Sequence, residues 1–461
     1  ETPHALTRDE IHQIIDNFAR AAGRVQAAGF DAVEILSGTG YLISEFLSPL
    51  TNQREDDYGG DLNNRMRFGL EVMQAIRRTV GADYPVIVRM NGNDFMVDGQ
   101  DRQELQVYAK ALQEQGRVDA LSINVGWHEA RVPQITTAVP RGAFAYLARA
   151  IKTQVTIPVI YGHRVNDPAT ARELILDDMC DMIAMGRSLI ADPYLPEKTR
   201  QNHEKQIVHC VACAQGCFDN LFKLKSVECL CNPEAGHEGE CPETARTETP
   251  KTIMVVGGGA AGMRAALTAS ERGHVVHLYE ASRQLGGQLY LAAAPPGRAE
   301  FAELARDLAV QVSLSPINVH LNTVVDEALI QSNPPDHIII ATGARPVTPP
   351  IPGIDGANVV QAWDVLRNRV HTGKKVVIIG GGAVGVEVAL FLAEKGTLSG
   401  ETLKFLMVNK AEPMDELYNL AINGTKEVVL IEMIDRIGEG LGKTTRWTLL
   451  QDLKRTHVQA M

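Results

Sequence analysis

Two glycine runs, Gly257-Gly258-Gly259-Ala260-Ala261-Gly262 and Gly380-Gly381-Gly382-Ala383-Val384-Gly385, lie downstream of a cysteine group, Cys210-x2-Cys213-x3-Cys217-x11-Cys229. Each run follows an apolar strand and opens a helix, where glycines let backbone N–H groups approach a pyrophosphate. Thiols at this spacing suit a tight loop that holds three corners of an iron–sulfur cube, with a distant cysteine closing the fourth. In this order they describe a relay: a nicotinamide site, a flavin site and an electron carrier leading toward whatever precedes. One glycine run alone is a weak signal. Two beside clustered thiols are a strong one.

Tetrahedral zinc is the competing use of the thiols, but its usual signature is two Cys-x2-Cys pairs and only one occurs here. Cys231 is a spare thiol beside Cys229, while Cys180 and Cys241 read as structural. For the first glycine run, with Gly257, Gly259 and Gly262, the second strand is Val275 to Tyr279 and ends at Glu280. An acidic residue there, about twenty positions on, holds a ribose hydroxyl. For the second run, with Gly380, Gly382 and Gly385, the partner strand Val428 to Ile431 ends at Glu432, and 397–426 is an insertion. A carboxylate at that point accepts from a 2′-hydroxyl and repels a 2′-phosphate, so NADH is expected. Arg436 stands near enough to keep NADPH open.

These groups need elements to position them. Thr7-Arg-Asp-Glu10 is a capping box, and Ile11, Ile14, Ile15, Phe18, Ala21, Ala22 and Val25 recur at helical spacing behind it. A strand is predicted over 30–36, and further strands over 86–90, 120–124, 157–161 and 181–185. Helices over 64–80, 101–116, 142–153 and 167–177 separate them. Such alternation implies a parallel sheet. Each strand ends in residues fit for chemistry: Tyr41, Arg89, Asn124 to His128, His163 with Arg164, and Gly186 with Arg187. That placement points to an α/β fold beginning with part of a (β/α)8 barrel, with Arg164, Gly186 and Arg187 as a phosphate site. A doubly wound sheet shares the alternation, and surface arginines near helix starts share the pattern.

The chain has 461 residues, a net charge of −11, and 45% hydrophobic and 22% charged residues. That length suggests about three domains. We expect a partial barrel over 1–200, a thiolate segment over 201–245, a first dinucleotide-binding domain over 246–372 and a second over 373–461. The chain starts without Met and stops inside a dinucleotide-binding half, so a fragment truncated at both ends is expected. An acidic balance argues against nucleic acid and anionic membrane as partners. The longest apolar run, Val376 to Ala393, contains Glu387 and a glycine loop, so it is not a membrane span. With no signal peptide visible, a cytoplasmic location is expected; the oligomeric state is open.

Several stretches resemble the multidomain branch of the old yellow enzyme family, in particular the bacterial 2,4-dienoyl-CoA reductases. They are Phe46-Leu-Ser-Pro-Leu-Thr-Asn52, Tyr58-Gly-Gly60, Asn64-Arg-Met-Arg-Phe68, Gly126-Trp-His-Glu-Ala-Arg131, Val139-Pro-Arg-Gly-Ala-Phe144 and Gly440-Leu-Gly-Lys-Thr-Thr445. The resemblance implies FMN in the barrel, a [4Fe–4S] cluster on Cys210, Cys213, Cys217 and Cys229, FAD on the first glycine run, and NADH or NADPH on the second. It implies Tyr41 as proton donor with His128 beside it, Arg89 at the flavin N1/O2 edge, and Arg164, Gly186 and Arg187 on the FMN phosphate. Gly287 and Gln288 would lie along FAD, and Gly343 would end its return strand. A phenol keeps its proton at neutral pH and can donate to a developing enolate.

One departure shifts the expected substrate. Simple members of the family carry His-Gly-Ala-His-Gly-Tyr where this chain has Leu36-Ser37-Gly38-Thr39-Gly40-Tyr41. The histidine pair is gone and the tyrosine is kept, which implies acyl-CoA thioesters rather than free enones. Alternatives are a reductase of 2-enoates or of aryl-CoA thioesters of the naphthoyl-CoA type. An electron-transfer subunit like the small subunit of glutamate synthase shares the thiol and double-glycine layout, but lacks the barrel and the Tyr41/His128 pair.

Overall fold

The computed structural model describes residues 4–240 and 245–461 and divides into two compact units. One runs through Ile135 and resumes over Val139–Gly186; the other comprises Thr136–Ala138 and Arg187–Met461. Cys241 lies outside the described residues.

In the first unit the capping box forms as the sequence implies. Thr7 Oγ1 accepts from the Glu10 amide, and Glu10 Oε2 accepts from the Thr7 amide at 2.7 Å. The helix Arg8–Ala27 that follows buries Ile11, Ile15, Ala19 and Ala22, a single stripe at helical period. Five strands follow: β1 (Val33–Ser37), β2 (Val86–Asn91), β3 (Ala120–Asn124), β4 (Val159–Tyr161) and β5 (Met182–Ile183). They are parallel and lie in simple sequential order. A doubly wound sheet reverses its strand order at a switch point, whereas a barrel adds strands in one direction. This sheet is therefore an arc of a (β/α)8 barrel. Register places Ile35, Val88, Leu121 and Val159 side by side, all buried, as one layer of its core.

Two local expectations shift. Phe30 is not in β1: its amide still reaches Val25 O across the helix end, so the strand starts at Val33. The helix expected over 101–116 is α-helical over Arg102–Ala111, and its last turn, Leu112–Gly116, widens to π-helical spacing.

The second unit holds two parallel sheets. The first has β6 (Thr252–Val256), β7 (Val275–Tyr279), β8 (Ile317–His320) and β9 (His337–Ile340), in the order β8-β7-β6-β9. The second has β10 (Lys375–Ile379), β11 (Glu427–Ile431) and β12 (Gln459–Ala460), in that order. Helices Ala260–Glu271 and Ala383–Ala393 leave the two glycine runs. The insertion between β10 and β11 is itself helical, Gly400–Val408 and Met414–Ile422, with Ser399 capping the first. None of the described helices is long and apolar enough to cross a membrane.

Candidate active site

The C-terminal ends of β1 to β4 share one polar network. Asn91, the last residue of β2, accepts at Oδ1 from the Thr39 amide (3.1 Å) and from Asn124 Nδ2 (3.0 Å). Asn124, the last residue of β3, accepts at its own Oδ1 from Arg89 Nη2 (3.1 Å) and the His163 ring (3.2 Å). Beneath them Asp94 is buried; it accepts from Asn91 Nδ2 at 2.7 Å and from the Gln100 amide. Burial pushes its carboxyl above the ordinary range, opposed by the bond from Asn91. A single asparagine thus fixes the loop that leaves β1, and the loop carries Tyr41.

Tyr41 is the N-cap of the short helix Leu42–Leu47 and is 52% exposed. Its Oη lies 3.2 Å from His128 Nε2, and the two rings meet edge-to-face with centroids 5.3 Å apart. The His128 amide also bonds Thr39 O, which holds the two loops together. The pair is open to solvent and hydrogen-bonded, so it can deliver a proton to a substrate and take a replacement from water. Arg89 sits half-exposed in the same network, with Glu34 4.0 Å away. Arg164 is buried with φ +55°, and its Nε donates to Val139 O at 2.8 Å. Gly186 closes this unit, and a Cβ there would meet nothing within 4 Å.

Arg187 begins the second unit, and there it faces the thiols. It lines a small cavity with Cys210, Cys213, Cys217, Cys229 and Cys231; its guanidinium lies 5.6 Å from the Phe218 ring centroid. Its Nη1 is buried there without a hydrogen-bond acceptor. Burial and the surrounding thiols of Cys210, Cys217 and Cys229 push the Cys213 thiol up to about 11. A hydrogen bond from the Cys231 side chain brings Cys229 down to about 6, favouring its thiolate. Among the described residues no three His, Cys, Asp or Glu side chains lie close enough to hold a single metal ion. The thiols and the orphaned guanidinium N–H line one cavity, a donor set that fits an anionic iron–sulfur cluster. Cys180 is buried elsewhere, and burial lifts its thiol to about 11, as befits a structural residue.

The two nucleotide loops share one construction. Gly257 and Gly380 take φ of +109° and +100°, conformations that L side chains rarely adopt. Cβ atoms on Gly262 and Gly385 would collide with the carbonyls of Gly257 and Gly380. Gly259 and Gly382 are the helix N-caps. Glu280 accepts from the Gly258 amide at 2.7 Å, and Glu432 from the Gly381 amide at 2.6 Å. Backbone bonds from Gly381, Ile434 and Met433 hold the Glu432 carboxyl below its ordinary range. Around the first loop, a Cβ on Gly287 would come within 3.0 Å of Gly259 Cα, and Gln288 donates to Ala344 O beside Gly343. Gly287, Gln288 and Gly343 therefore gather around that loop.

Residues 1–206 match the NADH:flavin oxidoreductase / NADH oxidase family, and residues 251–461 match the pyridine nucleotide-disulphide oxidoreductases. A metal reductase of Desulforamulus reducens is 50% identical over 470 residues, covering 100% of this chain and 69% of that protein. The chain belongs to the NADH:flavin oxidoreductase / NADH oxidase family. An NADH oxidase of Thermoanaerobacter brockii is 38% identical, covering 99% of this chain and 71% of its own. Among solved structures, 2-naphthoyl-CoA reductase in complex with 2-naphthoyl-CoA superposes with a TM-score of 0.89 at 32% identity. The match covers 99% of this chain and 65% of that one. The chain spans between 65% and 71% of these relatives' lengths. It is a flavoprotein oxidoreductase, with an FMN-binding region first and an FAD- and nicotinamide-binding region after it.

Sequence reasoning missed Asn91 and Asp94, which organise the strand ends, and the turn of Arg187 toward the thiols. The polar run Asn91-Gly92-Asn93-Asp94 straight after an apolar strand was the available signal for the first two.

Proposed function

We propose that this chain is the working part of an NADH-dependent reductase of conjugated acyl-CoA thioesters, such as a 2,4-dienoyl-CoA. The observation that carries the reading is the hydrogen-bonded Tyr41–His128 pair at the strand ends, in a loop without the paired histidines that hold a free carbonyl. The likeness to a reductase solved with an aryl-CoA ligand supports the substrate class. When bound, FAD would accept hydride from NADH, a [4Fe–4S] cluster would pass electrons singly, and FMN would return a hydride to the conjugated chain. Arg89, Asn124, His163 and Arg164 would hold FMN, with Gly186 near its phosphate. Cys210, Cys213, Cys217 and Cys229 would hold the cluster, with Cys231 donating to Cys229.

The protein's own part in the reaction is to place a proton. Tyr41 Oη would donate to the carbon made basic by hydride addition, and His128, hydrogen-bonded to it, would reprotonate it. Glu432 selects NADH by accepting from a ribose hydroxyl and repelling a 2′-phosphate. The partner is a small acyl-CoA, not a nucleic acid or a membrane, and the setting is cytoplasmic.

Anaerobic titration with NADH and then 2,4-dienoyl-CoA, following flavin reoxidation, tests this. Tyr41→Phe should slow reoxidation by about 10²–10⁴-fold while leaving reduction by NADH intact. If no CoA thioester reoxidises the flavin, the substrate class is wrong. The 50% identity to a metal reductase favours a second reading, release of electrons to an external metal ion as substrate. That route needs no proton donor, so a Tyr41→Phe variant would keep its full rate.

A further inference from the structure

The stretch Gly440-Leu-Gly-Lys-Thr-Thr445 has no part in the nucleotide loops or the proton-donating pair. It opens the 13-residue helix Lys443–Arg455 in the second nucleotide-binding region. That helix has Gly442 as N-cap and no side-chain cap of its own. Its cap comes from 225 positions away. Asp219 Oδ1 accepts from the Thr444 amide at 3.0 Å and from Thr444 Oγ1 at 2.8 Å. Both residues are buried, Asp219 at 3% and Thr444 at 7% exposure. A carboxylate at a helix N-terminus satisfies a free amide and complements the helix dipole. Gly442 takes φ −65°, so its backbone does not demand glycine. Space does: a Cβ there would collide with Asp219 Oδ2. The usual Ser, Thr or Asp cap is replaced by glycine because the carboxylate arrives from elsewhere.

Where Asp219 comes from gives this contact its meaning. It lies two residues after Cys217, in the short helix Phe218–Leu221 for which Cys217 is the N-cap, and its amide bonds Ala214 O. Asp219 is thus built into the thiol loop at one end and into the nicotinamide region at the other. We propose that the Asp219–Thr444 contact is a latch that docks the helix Lys443–Arg455 onto the thiol loop. Asp219 acts as a positioning residue that holds the nicotinamide-binding region in register with the electron carrier. The second half of this inference rests on the proposed role of the four cysteines; the latch does not.

Hydrogen exchange on the purified holoenzyme tests it, using Asp219→Ala, Thr444→Val and Gly442→Ala. Each should raise exchange in both 440–455 and 214–224, by about tenfold, the loss expected for a helix cap. Asp219→Asn keeps an acceptor at Oδ1 and should restore most of the protection. If Asp219→Ala leaves 440–455 as protected as before, there is no latch. Should that variant fail to accumulate, Thr444→Val and Gly442→Ala decide from the other side, and protection retained at 214–224 in both overturns the proposal. For the positioning role, Asp219→Ala should lower NADH-driven reduction of the thioester about tenfold more than NADH-driven reduction of ferricyanide, which takes electrons directly from flavin. Equal losses, or none, overturn that role. Iron and acid-labile sulfide in the unaltered protein report separately on the cysteines, so a failed latch and a failed cluster reading give different results.

Discussion

The two nucleotide loops are near copies in their backbone and opposites in how their helices are anchored. Each has a positive-φ glycine, a packed fourth glycine, a strand-end glutamate on a loop amide, and a backbone bond from a later glycine: Gly286 to Gly258 O, Gly438 to Gly381 O. Two residues past the packed glycine the helices diverge. The first presents Arg264, which pairs with Glu234 in the thiol segment at 2.6 Å, with side chains 33% and 53% exposed. The second presents Glu387, which pairs with Arg298 beneath the surface, at 13% and 16% exposure. Burial raises the Glu387 carboxyl, offset by the guanidinium; Arg298 also lies 4.4 Å from the Phe301 ring centroid. The loop recipe is local and repeats. Anchoring is long-range, and it differs with what each helix must hold against.

Adding one methyl to each loop tests the shared construction, and here the largest effects are expected. Gly262→Ala should yield protein without FAD, because the new Cβ overlaps the Gly257 carbonyl and must open the turn. Gly385→Ala should retain FAD but lose reduction by NADH. Flavin content and stopped-flow reduction separate the two. Loss of the same cofactor in both variants would break the assignment of one nucleotide to each loop.

The buried anchor comes next. Arg298→Ala strands Glu387 in a low-dielectric site, which costs about 3–5 kcal/mol and should show in thermal unfolding. The pH dependence follows from the sign of the shift. A carboxyl raised by burial binds more protons folded than unfolded above about pH 4.5, so stability falls as pH rises. Without its arginine the group rises further, and the variant should gain stability on acidification toward pH 5 relative to the parent. A pH-independent deficit would mean that Arg298 acts through its packing on Phe301.

Specificity should respond less. Glu432→Ala removes a partly buried carboxylate from the nucleotide loop, and the ratio of kcat/KM for NADH over NADPH should fall about tenfold, the worth of one hydrogen bond to a charged group. Its carboxyl is held below the ordinary range, so it stays ionised at pH 5, and the parent's preference should be flat from pH 5 to 8.

What was legible in the sequence divides along the same line. The capping box at Thr7, the strands that end at Asn91 and Asn124, and both glycine loops are written in residues a few positions apart. Period and spacing expose them. Tyr41 and His128 were paired through a resemblance, not through spacing; they are 87 residues apart. The Asp219–Thr444 contact and the Arg298–Glu387 pair leave no periodic trace, because each joins side chains that only the folded chain brings together. Arg187 was read as a phosphate ligand from its place after the last barrel strand and from the resemblance; in its own unit it stands over Phe218 and beside the thiols. The inserted residues 397–426 carry helix caps such as Ser399, legible once a helix is sought there.

The smallest effect should come from the exposed anchor. An ion pair as open as Arg264–Glu234 contributes about 0–1 kcal/mol, because water screens the charges and ordering two long side chains costs entropy. Arg264 carries an opposing term as well, since its Nε is buried without a hydrogen-bond acceptor. Removing an unsatisfied buried donor relieves a desolvation cost of about 1–3 kcal/mol, so Arg264→Ala should fall within about 1 kcal/mol of the parent on either side. High salt should narrow the gap further. Measured beside Arg298→Ala by the same thermal unfolding, a deficit for Arg264→Ala as large as that of the buried pair would mean that both helices are anchored alike, and that exposure does not set the strength of the docking.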